Sequence, residues 1–262
     1  YPAASTAQDY LMAFPSFTDP GQAADLPKAL PSDKGFILSG KLDYLVLGNF
    51  SNRAVIPAKT SDGKGYSFFL VNLRDKRVIK SAPVFSLGLH ACPIVDIVMD
   101  GINAEMIGDE DKGEEYFRMT SKIMHVAAAA INAGIMRGSL RAAADYTRER
   151  EQGGRLVINW SEVRMLLANM AIKTKVAELC VTQTCKVIDE HLEDWGWISI
   201  ASTLHVHDLA CEVVTDGVQL LGGYGYMKDY GQEKRYRDAR QVQALLGLVP
   251  LKKLALVKEN IV

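Results

Sequence analysis

The stretch Gln219-Leu-Leu-Gly-Gly-Tyr-Gly-Tyr226, followed shortly by Glu233-Lys-Arg-Tyr-Arg-Asp-Ala-Arg240, decides how this chain is read. Its glycines let backbone approach a large ligand where any Cβ would clash. The charged segment after them supplies fixed ion pairs and hydrogen bonds around such a site. A Gly-Gly-x-Gly string by itself is more often a turn than a site. Gly223 and Gly225 follow an apolar helical run and not a strand, which speaks against a dinucleotide-binding βαβ fingerprint.

Outward from that stretch the pattern is helical, from Glu114 to the end of the chain. The Ala-rich run from Ile123 to Met136 is apolar on nearly every face, as in a helix buried among other helices or at a subunit contact. A second helix is expected over about Trp160 to His191, with a buried stripe of Val163, Leu166, Leu167, Met170, Ala171 and Thr174 at three-and-four spacing. The linker Glu193-Asp-Trp-Gly-Trp197 leads into a third, about Ile198 to Leu221, stopped by Gly222-Gly223. A fourth is expected from Ala239 to Glu259. Four such helices pack naturally as an antiparallel bundle.

Before the acidic hinge Gly108-Asp-Glu-Asp-Lys-Gly113 the composition is different. Gly35–Gly40, Tyr44–Leu47, Arg53–Pro57, Tyr66–Val71 and Pro93–Met99 are short, β-branched or aromatic runs bounded by turn residues. Strands at this spacing without helices between them predict an antiparallel barrel or sandwich. The chain therefore divides into a β-domain over residues 1–108 and a helical domain over 109–262, an α+β fold.

The chain has 262 residues, 48% of them hydrophobic, and a net charge of −1, enough to bury a sizeable core in two domains. Without a basic excess, nucleic acid is excluded as the main partner. Cys92, Cys180, Cys185 and Cys211 show no CxxC spacing, so a reducing, cytoplasmic compartment is expected, and Cys180 and Cys185 read as core. No uncharged apolar run is long enough to span a bilayer, and no membrane partner is expected. His205 and His207 sit two apart on a helix, point to different sides, and make a poor metal pair. No metal site is expected. Trp195 and Trp197 read as packing under a loop, and Asp238 with its arginine neighbours as a structural ion-pair cluster.

Joined at this spacing, Gln219–Tyr226 and Arg237-Asp-Ala-Arg240 resemble the C-terminal domain of the acyl-CoA dehydrogenase family. The resemblance covers the chain from about Met12 and has the order of the family's middle β-domain and helical domain, without its N-terminal helical domain. It implies an FAD-dependent oxidoreductase of fatty-acid metabolism that acts on acyl-CoA. Thr18 lies in a segment similar to the family's flavin-contacting Thr-Glu-Pro, although its Gly-Ser pair is here Ala23-Ala24. Tyr44-Leu-Val46 is similar to the family's Trp-Ile-Thr strand over the flavin ring, with Tyr44 keeping an aromatic and Val46 losing the hydroxyl. Arg150, in Arg148-Glu-Arg-Glu-Gln-Gly-Gly154, matches the arginine that reaches the pyrophosphate of a neighbouring subunit's flavin. Gln219, Gly222 and Gly223 match residues beside the adenosine of that flavin, so the FAD would be shared with a partner subunit.

Acyl-CoA dehydrogenation removes an α-proton while hydride leaves the β-carbon, and a positioned carboxylate base contributes roughly 10²–10⁴-fold. Leu246 stands where the family usually carries that glutamate, and Leu248 stands for a flavin-contacting threonine. Met124 matches the base position used by some members, with His125 beside it where an arginine is common. No catalytic residue is therefore assigned, and His125 reads as packed. The resemblance then implies a subunit that has lost its own base and works with a homologous partner, in a homo- or hetero-oligomer (dimer or tetramer), with electron-transferring flavoprotein as acceptor. Two other readings stay open: a flavin monooxygenase of the same fold, which needs no such base, and a scaffold subunit that no longer binds flavin.

Overall fold

The computed structural model describes residues 11–15, 19–60 and 64–260 and divides into two compact units. One comprises residues up to Ser86 together with His90–Ser121; the other comprises Leu87–Leu89 and Lys122 onward.

The first unit is a seven-stranded sheet: β1 (Met12–Pro15), β2 (Lys28–Ser32), β3 (Gly35–Val46), β4 (Arg53–Thr60), β5 (Ser67–Asn72), β6 (Val78–Lys80) and β7 (Ile94–Ile107). Its pairings run β2–β3–β7–β5–β4 and return to β2, so the sheet closes on itself. Two ladders, β1 with β4 and β2 with β4, are parallel, where an all-antiparallel sheet was expected. Gly35–Gly40 and Tyr44–Leu47, expected as separate strands, fall in one long strand that ends at Val46. β-Bulges between Leu38 and Gly40 and between Leu42 and Leu45 let it bend around the sheet and pair with both β2 and β7. The inward alternation of Leu38, Leu45, Ile56, Phe69, Ile97 and Ile102 fills the interior. Each such side chain contributes roughly 1.5–3 kcal/mol on full burial.

The second unit is helical. Helix α1 spans Gly113–Glu149 and belongs to this unit from Lys122 onward. It is followed by α2 (Ser161–Asp189), α3 (Trp195–Leu221), α4 (Gln232–Gln243) and α5 (Val249–Asn260). Helices α1 and α3 run side by side in the same direction. Ser199 Oγ donates to Lys122 O (2.7 Å), Thr203 Oγ1 to His125 O (2.8 Å), and Asn132 Nδ2 lies 2.8 Å from His207 Nδ1. The small Ala129, Ala133 and Ala143 of α1 share a core with Met170, Ala177, Val206, Ala210 and Val213 of α2 and α3.

Several helical expectations are corrected. The single helix over Ala239 to Glu259 is two helices broken at Leu246 (φ 64°) and Gly247 (φ 102°). Pro250 forces this, because proline is tolerated in a first turn and disrupts a helix interior. The third helix begins at Trp195, so Trp195 and Trp197 lie in its first turn rather than in a linker. Met170 and Thr174 are buried on α2, but Ala171 is exposed. Cys180 is half-buried and packs against the helical core, but Cys185 is exposed, not core. Cys185 is one residue, about 100° of helix, past the buried Thr184.

Candidate functional site

In the helical unit, α1 ends at Glu149 and the chain folds into a two-residue ladder, Glu151–Gln152 against Arg155–Leu156. The turn is tied back by Arg150 N to Tyr146 O (2.9 Å) and Val157 N to Arg150 O (2.8 Å). This fixes the backbone of Arg150 beside a 650 Å³ cleft that it lines together with Gln219, Gly222, Gly223 and Tyr224. Four of the sequence-predicted site residues thus meet in one place. Gly222 caps α3 at φ 56°, a left-handed conformation that favours glycine. No atom lies within 4 Å of where a Cβ would stand on either Gly222 or Gly223, so both present bare backbone to open space.

Aromatic rings shape the same cleft. The Arg150 guanidinium lies 5.6 Å from the centroid of the Tyr224 ring. Tyr224 packs on Tyr230 at 4.9 Å, and Tyr146 stands 6.2 Å from each. Burial, more than the other tyrosines, pushes the Tyr146 hydroxyl above its ordinary pKa, while the Arg150 charge acts the other way. No described carboxylate stands within ion-pair range of Arg150, which leaves a guanidinium held only by a ring face and suited to bidentate binding of an anion. The residue-level reading missed this tyrosine trio. One turn of helix separates Tyr146 from Arg150, and that i, i+4 spacing was the available signal.

The other predicted contacts lie elsewhere. Tyr44 and Val46 belong to the sheet unit, and Thr18 lies outside the described residues. Tyr44 is 52% exposed at φ 60° on the second bulge of β3, and its N–H donates to Asp96 Oδ1 at 3.0 Å. That hydrogen bond holds a conformation costly for a non-glycine residue. Val46 is half-buried and pairs with Phe14 and Ile94.

No titratable group stands at Leu246, which is half-buried in the turn between α4 and α5. The ammonium of Lys252 braces that turn from within, donating to Gln243 O (3.1 Å) and Leu245 O (2.5 Å). His125 is 6% exposed and its Nδ1 has no partner among the described residues. Burial, and secondarily the Lys252 charge, pushes its pKa down to about 4. It is a packed histidine. His205 is exposed and His207 buried, and no cluster of three metal-ligating side chains occurs among the described residues. Asp238 is 6% exposed and accepts from the Leu89 N–H and from Lys234 Nζ; Arg237 pairs with Glu233 (2.6 Å) and donates to Leu87 O (3.0 Å). This cluster ties chain segments together. No described helix is long and apolar enough to cross a membrane.

A closed sheet followed by a helical unit that carries an arginine–glycine cleft defines the class, a two-unit α+β protein. The profile of the acyl-CoA dehydrogenase C-terminal domain matches residues 111–248, more than half of the chain. The chain belongs to the acyl-CoA dehydrogenase family. It is 28% identical over 235 residues to the caffeyl-CoA reductase-Etf complex subunit CarC of Acetobacterium woodii, covering 86% of this chain and 62% of that protein. To cyclohex-1-ene-1-carbonyl-CoA dehydrogenase of Syntrophus aciditrophicus it is 27% identical over 247 residues, covering 90% and 60%. The fold superposes on butyryl-CoA dehydrogenase from Megasphaera elsdenii with a TM-score of 0.85 at 23% identity, covering 95% of this chain and 67% of that one. The chain thus spans about three-fifths of the length of these two curated relatives.

Proposed function

We propose that this chain is part of an acyl-CoA dehydrogenase-like flavoprotein, that its helical unit contributes a wall of an FAD site, and that it supplies no α-proton base of its own. The observation that carries the reading is the cleft uniting Arg150, Gln219, Gly222 and Gly223. Its chemistry fits a dinucleotide: an arginine without a carboxylate partner for phosphate oxygens, bare glycine backbone for close approach, and tyrosine faces for a base. Bound there, FAD would supply the hydride-accepting chemistry. Arg150 would hold the pyrophosphate of a partner subunit's flavin, and Gln219 and the two glycines its adenosine end.

Leu246 cannot take a proton, so the carboxylate would come from a homologous partner subunit, with which the FAD is shared. Relatives named as a reductase–Etf complex subunit and as a cyclohexenecarbonyl-CoA dehydrogenase support an acyl-CoA substrate and an electron-transferring flavoprotein as redox partner. A second reading, a scaffold subunit without flavin, is favoured by Ala24, Val46, Leu248 and Pro250 in the segments that resemble the family's flavin contacts.

The test is the visible spectrum of the native assembly, purified with all its subunits, before and after a panel of acyl-CoAs. Flavin absorbance that bleaches is the expected result. A flavin spectrum indifferent to every acyl-CoA removes the dehydrogenase reading in favour of a same-fold monooxygenase, and a colourless assembly leaves the scaffold.

A further inference from the structure

The outer face of the sheet unit carries a second cleft, of 480 Å³, unrelated to the arginine–glycine cleft. Strand pairing sets it out. On β4 and β5, Arg53 stands opposite Asn72, and one step further Leu70 of β5 stands opposite Glu105 of β7. All four lie on the side away from the Leu38–Phe69 core. Lys34, from the turn between β2 and β3, and Arg74, just past β5, complete the rim with Asn52 and Asn103.

Three exposed cations therefore face one carboxylate, in a chain whose overall charge is −1. Neither Lys34, Arg53 nor Arg74 has a described carboxylate in ion-pair range. Arg74 is nonetheless pre-oriented. Its Nε donates to Asn52 Oδ1 at 2.7 Å and its backbone N–H to Asn72 Oδ1 at 2.9 Å, while no described residue takes up its terminal nitrogens. A guanidinium held by Nε presents the paired N–H groups that match a carboxylate. The asparagine amides between the cations both donate and accept, as peptide groups do.

From this face we infer that the sheet unit docks an extended acidic segment of a partner protein, with carboxylates on Arg53, Arg74 and Lys34 and the segment's backbone along the asparagines. A single small anion would satisfy one cation; the three enter from separate elements and call for charges spaced along a chain. The inference stands apart from the flavin reading and does not depend on it.

The test uses the full chain with an octaglutamate peptide, by titration calorimetry and amide hydrogen exchange. Binding at low salt is expected, with protection gained at residues 52–53, 72–74 and 103–105, and affinity falling steadily as salt is raised. Arg53→Glu with Arg74→Glu should weaken the peptide more than tenfold. Both residues are exposed, and circular dichroism confirms that the variant remains folded. The charge-retaining Arg74→Lys should weaken it by less. Protection elsewhere, or an affinity unmoved by the double variant, overturns the proposal. So does inorganic phosphate protecting the same amides as tightly as the peptide, which would mark a small-anion site. Self-association that the double variant abolishes would assign the face to a second copy of this chain instead.

Discussion

The carboxylate of Asp238 accepts a 2.7 Å hydrogen bond from the backbone N–H of Leu89, a residue 149 positions earlier in the chain. Beside it, Gly88 lies so close to α4 that a Cβ would sit 2.6 Å from the Arg237 carbonyl carbon and 2.8 Å from the Asp238 Cα. The segment Leu87–Leu89 is therefore pinned to the helical unit by Arg237 and Asp238, the ion-pair cluster read as structural in the sequence. Asp238→Ala leaves a backbone N–H and Lys234 without their acceptor, at a cost of about 1–3 kcal/mol. Gly88→Ala forces backbone apart and should cost at least as much, about 1–3 kcal/mol or more. Urea unfolding midpoints of the two variants check both. A wild-type midpoint for Gly88→Ala would contradict the close approach.

Buried neutral imidazoles set an acid limit. Burial is the main cause that pushes His207 down to about 3 and His125 to about 4, with Lys252 of α5 adding to both and His125 to His207. The unfolded chain binds protons on these rings near pH 6.5 and the folded chain does not. Their contribution is complete above pH 6.5 and is lost as pH falls towards 4 and then 3, roughly 3–5 kcal/mol for each ring. Folding stability measured between pH 7 and 4 should fall steeply. His207→Gln, which keeps a group able to meet Asn132, should flatten that slope by about half even if it lowers stability at pH 7.

Much of the fold was legible because it rests on period and punctuation. Leu38, Ile56 and Phe69 lie in β-branched or aromatic runs bounded by turn residues, Met170 and Thr174 repeat at helical spacing, and Gly222 ends α3 where only a glycine sits easily. The failures are those of context. Nothing local marks the merger of Gly35–Gly40 and Tyr44–Val46 into one bulged strand, since the bulges answer to β7, more than fifty residues away. The exposure of Cys185 depends on a one-residue rotation that no composition argument resolves. In the cleft, Arg150, Gln219, Gly222 and Gly223 were found through their motifs. Tyr146 and the Lys252 brace were missed because each matters only through a partner brought in by the packing of helices.

That brace can be tested alone. Lys252 is 7% exposed, and burial pushes its pKa down to about 8. Lys252→Met keeps the stem and removes the ammonium, which strips Gln243 O and Leu245 O of their donor at about 1–2 kcal/mol, partly offset by relief of a buried charge. Amide exchange at residues 244–248 should quicken at pH 7 with the rest of the bundle unchanged. The unfolded lysine titrates near 10.5 and the folded one near 8, so Lys252's charge penalty at neutral pH disappears as pH rises from 8 to 10.5. Over that range the wild type should gain stability relative to Lys252→Met.

Gly222 and Gly223 separate backbone conformation from ligand approach. An alanine at Gly222 must hold φ 56°, which costs about 1–2 kcal/mol, whereas an alanine at Gly223 meets nothing within 4 Å and needs no such conformation. Only Gly222→Ala should lower the melting temperature of the chain. If the cleft receives a dinucleotide against bare backbone, both substitutions should lower the flavin content of the native assembly. Arg150→Ala belongs with Gly223→Ala: within about 0.5 kcal/mol of wild type in stability, yet roughly 10–100-fold weaker for the cofactor through loss of a charge-assisted contact. Equal flavin per chain in all three variants would remove this cleft from the cofactor site and leave Gly222 as nothing more than the cap of its helix.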